Sequence, residues 1–176
     1  MEFTVNTSNP DKLKEYERFL GNIKSTKVDL DEPLANLKTI VAFKASQFDE
    51  NVIVEDVSLE VEGADIGVEV KFKLDELKNL VGRKATFKIA IAFKKDNKVN
   101  VFVGEVEGKI VEKEKNSPAK TFGFDAYFKP KGANKTLAVD KPDKFNARAI
   151  AIKKLLRGKT DFETKPIPVW NGPFQK

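Results

Sequence analysis

Cysteine and histidine are both absent from this chain of 176 residues. Without cysteine there can be no disulfide, no thiolate metal site and no cysteine nucleophile, and the composition suits a reducing, cytoplasmic compartment. Without histidine, catalytic triads with an imidazole base and histidine zinc sites are excluded. Proton transfer near neutral pH is left to carboxylates, lysines, tyrosines or metal-bound water. Arginine is confined to Arg18, Arg83, Arg148 and Arg157, whereas proteins that read DNA bases draw on its bidentate fork. No apolar run approaches the ~18 residues of a membrane span. The start, Met1-Glu2-Phe3-Thr4-Val5, lacks the basic and apolar stretches of a leader peptide.

What the chain does carry is lysine, with a formal net charge of +5. Most lysines are interspersed with acids, as in Glu112-Lys113-Glu114-Lys115, and read as a solvated surface. The excess can attract a small polyanion, while charge alone argues poorly for a nucleic-acid partner.

Hydrophobic patterning predicts a mixed α/β fold, with helices alternating with strands early and a long hairpin late. Phe3 and Val5 open a first strand. Asn9 as N-cap and Pro10 at the first helical position start a helix with Leu13, Tyr16 and Leu20 on one face and Gly21 at its end. A strand is expected over 27–30 and a helix over 34–48, with Leu34, Leu37, Val41, Ala45 and Phe48 on one stripe. A short strand is expected over 51–54 and a weak helix over 73–80. Phe87, Ile89, Ile91 and Phe93 alternate as in a half-buried strand. Asp96-Asn97 turns the chain into a strand over 99–111, with Gly104 and Gly108 as bends or bulges. The last helix spans 143–156, with Phe145, Ala149, Ile152 and Leu156 inward. Residues 1–158 read as one domain and 159–176 as an irregular tail with Pro166, Pro168 and Pro173, its Trp170 and Phe174 packed onto the domain.

Four segments carry chemistry. In Ile53-Val54-Glu55-Asp56, two adjacent carboxylates are expected where a buried strand runs out, a usual arrangement for holding Mg²⁺ against a polyphosphate. In Thr7-Ser8-Asn9-Pro10-Asp11-Lys12, a strand feeds a helix N-terminus suited to a phosphate, with the Thr7 and Ser8 hydroxyls and the Lys12 charge added. The missing glycines distinguish it from a Walker loop; a plain helix cap is the competing reading. In Phe122-Gly123-Phe124-Asp125-Ala126-Tyr127-Phe128, Phe124 beside Asp125 offers a flat face and an acceptor for a purine, against the alternative of an aromatic core strand with a turn aspartate. In Asn146-Ala147-Arg148, Arg148 can reach a base carbonyl or simply sit in solvent.

Taken in order, these segments resemble the inosine triphosphate pyrophosphatase (Ham1-like) family of nucleotide house-cleaning enzymes. Thr7-Ser8-Asn9-x-x-Lys12 is similar to the family's Thr-Gly-Asn-x-x-Lys opening. Val54-Glu55-Asp56-Val57-Ser58-Leu59 is similar to its Val-Glu-Asp-(Thr/Ser)-x-Leu segment. Phe102-Val103-Gly104 through Gly108-Lys109-Ile110-Val111 resembles its Phe-x-Gly-x-x-x-Gly-x-Ile-Val strand. Phe122 to Pro130 resembles its Phe-Gly-aromatic-Asp loop, and Lys135-Thr136-Leu137-Ala138 its following Thr-x-Ala.

The resemblance implies an elongated α/β fold with two lobes around a central cleft, usually dimeric. It also implies Mg²⁺-dependent hydrolysis of a nucleoside triphosphate, such as ITP, dITP or XTP, to monophosphate and pyrophosphate. By motif position, Asp56 is the catalytic carboxylate, with Lys12 acting beside it. Glu55 and Asp56 lie at the metal. Thr7, Ser8, Asn9 and Lys12 hold phosphates with Lys71, while Phe124, Asp125, Lys144 and Arg148 grip the base. The chain departs from the family in three places. Thr39 aligns where a metal-binding glutamate is usual, with Glu32 lying earlier. Ile66-Gly67-Val68-Glu69-Val70 replaces Pro-Gly-x-Tyr-Ser. Asn146-Ala147 replaces the Ser-His before the arginine. These departures motivate a second reading, a non-catalytic nucleotide-binding or regulatory protein on the same fold; a basic nucleic-acid-binding module is the third.

Overall fold

The computed structural model describes residues 2–115 and 123–175. The chain forms a mixed α/β fold with a seven-stranded sheet ordered β2-β1-β3-β4-β5-β6, and β7 pairs with β5. The strands are β1 (Thr4–Asn6), β2 (Lys24–Thr26), β3 (Val52–Val61), β4 (Lys84–Lys95), β5 (Lys98–Ile110), β6 (Phe128–Pro130) and β7 (Phe162–Thr164). The helices are α1 (Pro10–Leu20), α2 (Leu37–Ser46) and α3 (Ala147–Leu156). None of the described helices is long and apolar enough to cross a membrane. The chain divides into two compact units. The first takes the described residues of Met1–Asp56, Ala90–Val103 and Ala151–Lys176, and the second those of Val57–Ile89 and Gly104–Ile150.

In the first unit, β1 pairs in parallel with both β2 and β3. Short-range chemistry sets α1: Asn9 accepts from the backbone N–H groups of Asp11 and Lys12, Pro10 opens the helix, and Gly21 ends it at φ 77°. Tyr16 is fully buried from its inner face. Helix α2 starts three residues later than expected, because Asn36 caps it by accepting from Thr39 N–H. Leu34 consequently precedes the helix and is exposed. Val41, Ala42 and Ala45 of α2 pack with Val54, Ala90, Ala92, Val99 and Val101, and Ile167 of the tail joins this core. The tail is more ordered than its prolines suggest. Phe162–Thr164 pair with β5, Ile167 N–H donates to Ser46 Oγ, and Phe174 meets Phe43 edge-on at 6.0 Å.

Strand β2 falls at Lys24–Thr26 and not at 27–30, because β1 selects its partner through a register that sequence patterning does not reveal. The larger correction concerns β3. It is ten residues long and passes through Glu55 and Asp56, so the two carboxylates do not sit at a strand end. Backbone pairing with β4 carries the strand onward, from Asn51 N–H to Lys94 O at its start to Glu62 N–H to Lys84 O beyond its end. Strands β4 and β5 meet at Asp96-Asn97, both at positive φ, as a tight hairpin requires.

In the second unit, Phe87 packs edge-on against Phe124 at 5.0 Å and against Phe128 at 6.1 Å. Gly108 faces Pro130 across β5 and β6. A Cβ there would run into the Lys129 carbonyl oxygen, so Gly108 permits close strand approach. Gly123 likewise leaves room for Leu74. Residues 73–80 are 3₁₀ rather than α-helical, within Leu74–Asn79. The expected last helix is split into a 3₁₀ turn, Asp143–Phe145, followed by α3. Ala149 is buried in this unit; in the part of α3 belonging to the first, Ile152 and Leu155 are buried and Leu156 points outward.

Candidate functional site

A cavity of ≈550 Å³ in the first unit gathers the strongest cluster of expected site residues. Its lining joins three stretches: Asn6, Thr7, Ser8, Asn9 and Lys12 at the β1–α1 junction; Lys27 to Leu30 and Glu32 in the following loop; and Lys44 with Glu55. Its size lies within the roughly 300–1,000 Å³ typical of small-ligand sites. Asn6 holds the rim together. Its side chain donates to Val28 O and accepts from Thr26 Oγ1 and Val28 N–H. Thr7 Oγ1 accepts from Asn9 N–H, while Asn9 Oδ1 takes the N–H groups of Asp11 and Lys12. The expected cap is therefore present, and it already occupies two donors of the helix end. Ser8 is exposed at the turn.

Glu55 is the organising carboxylate. It is buried, accepts the Tyr16 hydroxyl on Oε1 at 2.6 Å, and faces the Lys12 ammonium from Oε2 at 3.2 Å. Lys44 donates to the Glu55 backbone oxygen at 2.7 Å and lies 3.5 Å from Glu32 Oε2. Cations and carboxylates thus alternate around the cavity. Lys12 and Lys44 can meet phosphate oxygens, and charge-assisted contacts of this kind are the strong ones.

Asp56, the next residue on β3, is half-buried and is not part of the cavity lining. The two carboxylates are neighbours inside β3, so they are not the pair at a strand end that the sequence suggested. Among the described residues, no group of three or more histidine, cysteine, aspartate or glutamate side chains is placed to hold a metal. The cavity does supply two carboxylates, Glu55 and Glu32. This donor set fits a hard divalent cation that takes its remaining oxygens from phosphate and water.

The second unit holds the other expected residues, and most are buried. Phe124 is 2% exposed and edge-on to Phe87, so the flat face expected to receive a base is covered by core packing. Asp125 is fully buried, and its Oδ2 accepts from Lys141 Nζ at 2.6 Å. Arg148 is buried in the first turn of α3 and not solvated. Asn146, which stands where the family's serine is usual, caps that helix by accepting from Ala149 N–H. Lys71 and Lys144 are exposed, each with its ammonium 5.0 Å from a neighbouring ring centre, Phe72 and Phe145 respectively. Phe122 lies outside the described residues.

Sequence reasoning missed Lys44, Lys27, Asp29 and Lys141, and it left Glu32 as lying too early for the metal unless the loop differs. One signal was available: Lys44 interrupts the apolar run Ile40-Val41-Ala42-Phe43 and Ala45, and a lysine so placed needs a partner. Tyr16 was read only as a core residue, although a buried tyrosine hydroxyl usually finds an acceptor.

The model of the Ham1 family matches residues 3–158. The chain is 29% identical to a dITP/XTP pyrophosphatase of Pyrobaculum aerophilum, over 88% of this chain and 94% of that protein. It is 32% identical to an inosine triphosphate pyrophosphatase of Encephalitozoon cuniculi, over 85% and 88% respectively. The fold is also that of a solved nucleoside-triphosphatase / dITP/XTP pyrophosphatase from Mycobacterium abscessus, with a TM-score of 0.55 and 22% identity over 89% of this chain and 99% of that one. By the extent of the family match and the identity to its members, the chain belongs to the Ham1 family.

Proposed function

We propose that this protein hydrolyses non-standard purine nucleoside triphosphates, such as ITP, dITP or XTP, to the monophosphate and pyrophosphate. Family membership supports the reaction class, and the names of its relatives support the substrate. The observation that carries the reading is the cavity in which Thr7, Ser8, Asn9 and Lys12 meet Lys44 and Glu55. It is a polar, cation-bearing recess of suitable size, and among the described residues no aromatic side chain lines it. Such a site suits a phosphate chain better than a base.

In this mechanism a water oxygen attacks phosphorus, the α–β phosphoanhydride bond breaks, and pyrophosphate departs with the bonding electron pair. Asp56 holds and orients the water and accepts its proton, a role open to a carboxylate in a chain without histidine. Lys12 and Lys44 place positive charge against the phosphate oxygens as negative charge develops. Tyr16 and Lys12 fix the Glu55 carboxylate. Mg²⁺ would be held by Glu55 and Glu32, with Asp56 next to Glu55 on β3, and would supply charge neutralisation on the phosphates. Lys71 adds charge toward the phosphates. Base recognition is assigned to Lys144, which is exposed, and to Asp125, Arg148 and Phe124, which are buried and must be uncovered for a base to reach them. With Asn146-Ala147 in place of Ser-His, base selectivity is shifted relative to the family, because site polar groups set which base is rejected. The working form is a cytoplasmic homodimer.

The test is a Mg²⁺-supplemented panel of ITP, dITP, XTP, dUTP and the common nucleotides, with product analysis. Monophosphate and pyrophosphate should form fastest from the inosine or xanthine nucleotides, and Asp56→Asn should slow turnover about 10³-fold. No hydrolysis by the native protein, despite calorimetric nucleotide binding, would establish a non-catalytic binder instead.

A further inference from the structure

The outer face of the sheet in the second unit carries a row of lysines in register. Lys109 of β5 stands directly opposite Lys129 of β6. On its other side, Ile110 N–H donates to Arg83 O, and this register matches the two-residue turn joining Lys95 to Lys98. It sets Lys84 of β4 opposite Lys109. Three ammonium-bearing side chains therefore lie side by side across three strands, and Lys131 follows just beyond β6. Like charges directly opposed across a sheet are destabilising.

The same face shows how a compensated row looks. Lys88, two turns of the pleat along β4, is bridged to Glu60 at 3.0 Å and Glu105 at 3.6 Å. Among the described residues, Lys84, Lys109, Lys129 and Lys131 have no such ion pair. Glu107 faces Lys131 in the β5–β6 register and Glu62 N–H donates to Lys84 O, yet among the described residues no ion pair joins either carboxylate to the row. These four lysines, with Thr86 and Glu107, line a cavity of ≈540 Å³. Among the described residues no aromatic side chain contributes to its lining, so these offer no stacking surface for a base. Its concavity favours a compact anion over an extended strand of nucleic acid.

We infer that the cavity under Lys84, Lys109, Lys129 and Lys131 is a second anion site, one that binds an oligophosphate group separately from the cavity at Lys12 and Glu55. An oligophosphate anion between the strands would turn three mutually repelling cations into three partners of one ligand. The site depends on none of the residues assigned to catalysis, and it stands whether or not the protein hydrolyses nucleotides.

The experiment is a calorimetric titration of the full chain with tripolyphosphate at low salt, without divalent cations, alongside amide chemical-shift mapping. The native protein should show two binding events, one of them perturbing Lys109 and Lys129. The triple variant K84Q/K109Q/K129Q should lose that event, about tenfold or more in affinity, and keep the one at Lys12. K84R/K109R/K129R, which keeps the charge, should retain both. Turnover of the best nucleotide should stay within about twofold in the glutamine variant, which also serves as evidence that it is folded. Equal binding by native and glutamine proteins, or no binding event at this face, would overturn the inference. Tighter retention of duplex DNA than of tripolyphosphate, lost in the same variant, would overturn it in favour of a nucleic-acid surface.

Discussion

The two units treat charge in opposite ways. In the first, each central cation of the cavity is answered: Lys12 faces Glu55, and Lys44 lies between Glu32 and the Glu55 backbone. In the second, the acidic and basic residues expected to read a base are buried, as with Asp125 and Arg148, while the lysines in register along the outer face lack ion-pair partners among the described residues. The difference teaches something about building anion sites. Answered cations are held in place before a ligand arrives, but the ligand must compete with the resident carboxylates or bring a metal that satisfies them. Unanswered cations bind more simply and repel one another until they do.

The largest expected effect comes from Phe124. Its ring is 2% exposed and meets Phe87 at 5.0 Å. Phe124→Ala should lower unfolding free energy by about 3–5 kcal/mol, read as a shift in the urea midpoint. A change below ~1 kcal/mol accompanied by a large rise in KM would instead make the ring a base platform, and the contrast between a polar first unit and a packed second one would break. Next comes Lys12→Met, which leaves Glu55 with Tyr16 but removes the cation facing the cavity. Its kcat/KM should fall about 10²-fold, while Lys109→Met should leave turnover unchanged. Similar losses in both variants would erase the functional distinction between the two basic regions.

What could be read in advance divides along the same physical line. The cap at Asn9-Pro10, the stop at Gly21 and the turn at Asp96-Asn97 depend on neighbours within a few residues, and all three were legible. Strand β3 was cut short because Glu55 and Asp56 look like a strand exit, whereas its length depends on pairing with β4, a partner roughly 30 residues onward by the register of the sheet. The cavity was half legible for the same reason. Thr7 to Lys12 form a continuous stretch, but Glu32 and Lys44 enter through a loop and a helix face that only tertiary packing brings together. Likewise, the row Lys84–Lys109–Lys129 is invisible in a linear sequence and exists only as register.

A smaller effect probes how the answered side is held. Tyr16 is fully buried, and its hydroxyl donates to Glu55 Oε1 at 2.6 Å. Tyr16→Phe keeps the ring but leaves the carboxylate oxygen without that donor, so it should cost about 1.5–3 kcal/mol, measured by urea unfolding. It should also reduce kcat more than KM, because a mispositioned Glu55 still leaves Lys12 to attract phosphate. A variant as stable and as active as the native protein would mean that Lys12 alone positions Glu55.

The smallest effect concerns Lys88, the answered lysine on the otherwise unanswered face. Burial lowers its pKa, but hydrogen bonding and charge from Glu60, followed by Glu105, outweigh that and raise it above the ordinary lysine value of 10.5. A raised value in the folded state means that folding favours the protonated lysine. The stabilisation is therefore complete below about pH 10.5, where the unfolded lysine is also protonated, and is lost as pH climbs through the higher folded value. Exposed pairs of this kind contribute about 0.2–1 kcal/mol each. Lys88→Met should accordingly unfold slightly more easily than the native protein at about pH 8, with the gap in thermal midpoint closing by about pH 12. Lys109→Met should show the reverse sign at about pH 8, because it removes repulsion from Lys84 and Lys129. Opposite signs at about pH 8 would confirm that one sheet face holds a compensated and an uncompensated row, while equal signs would show that Glu62 or Glu107 answers the row in solution.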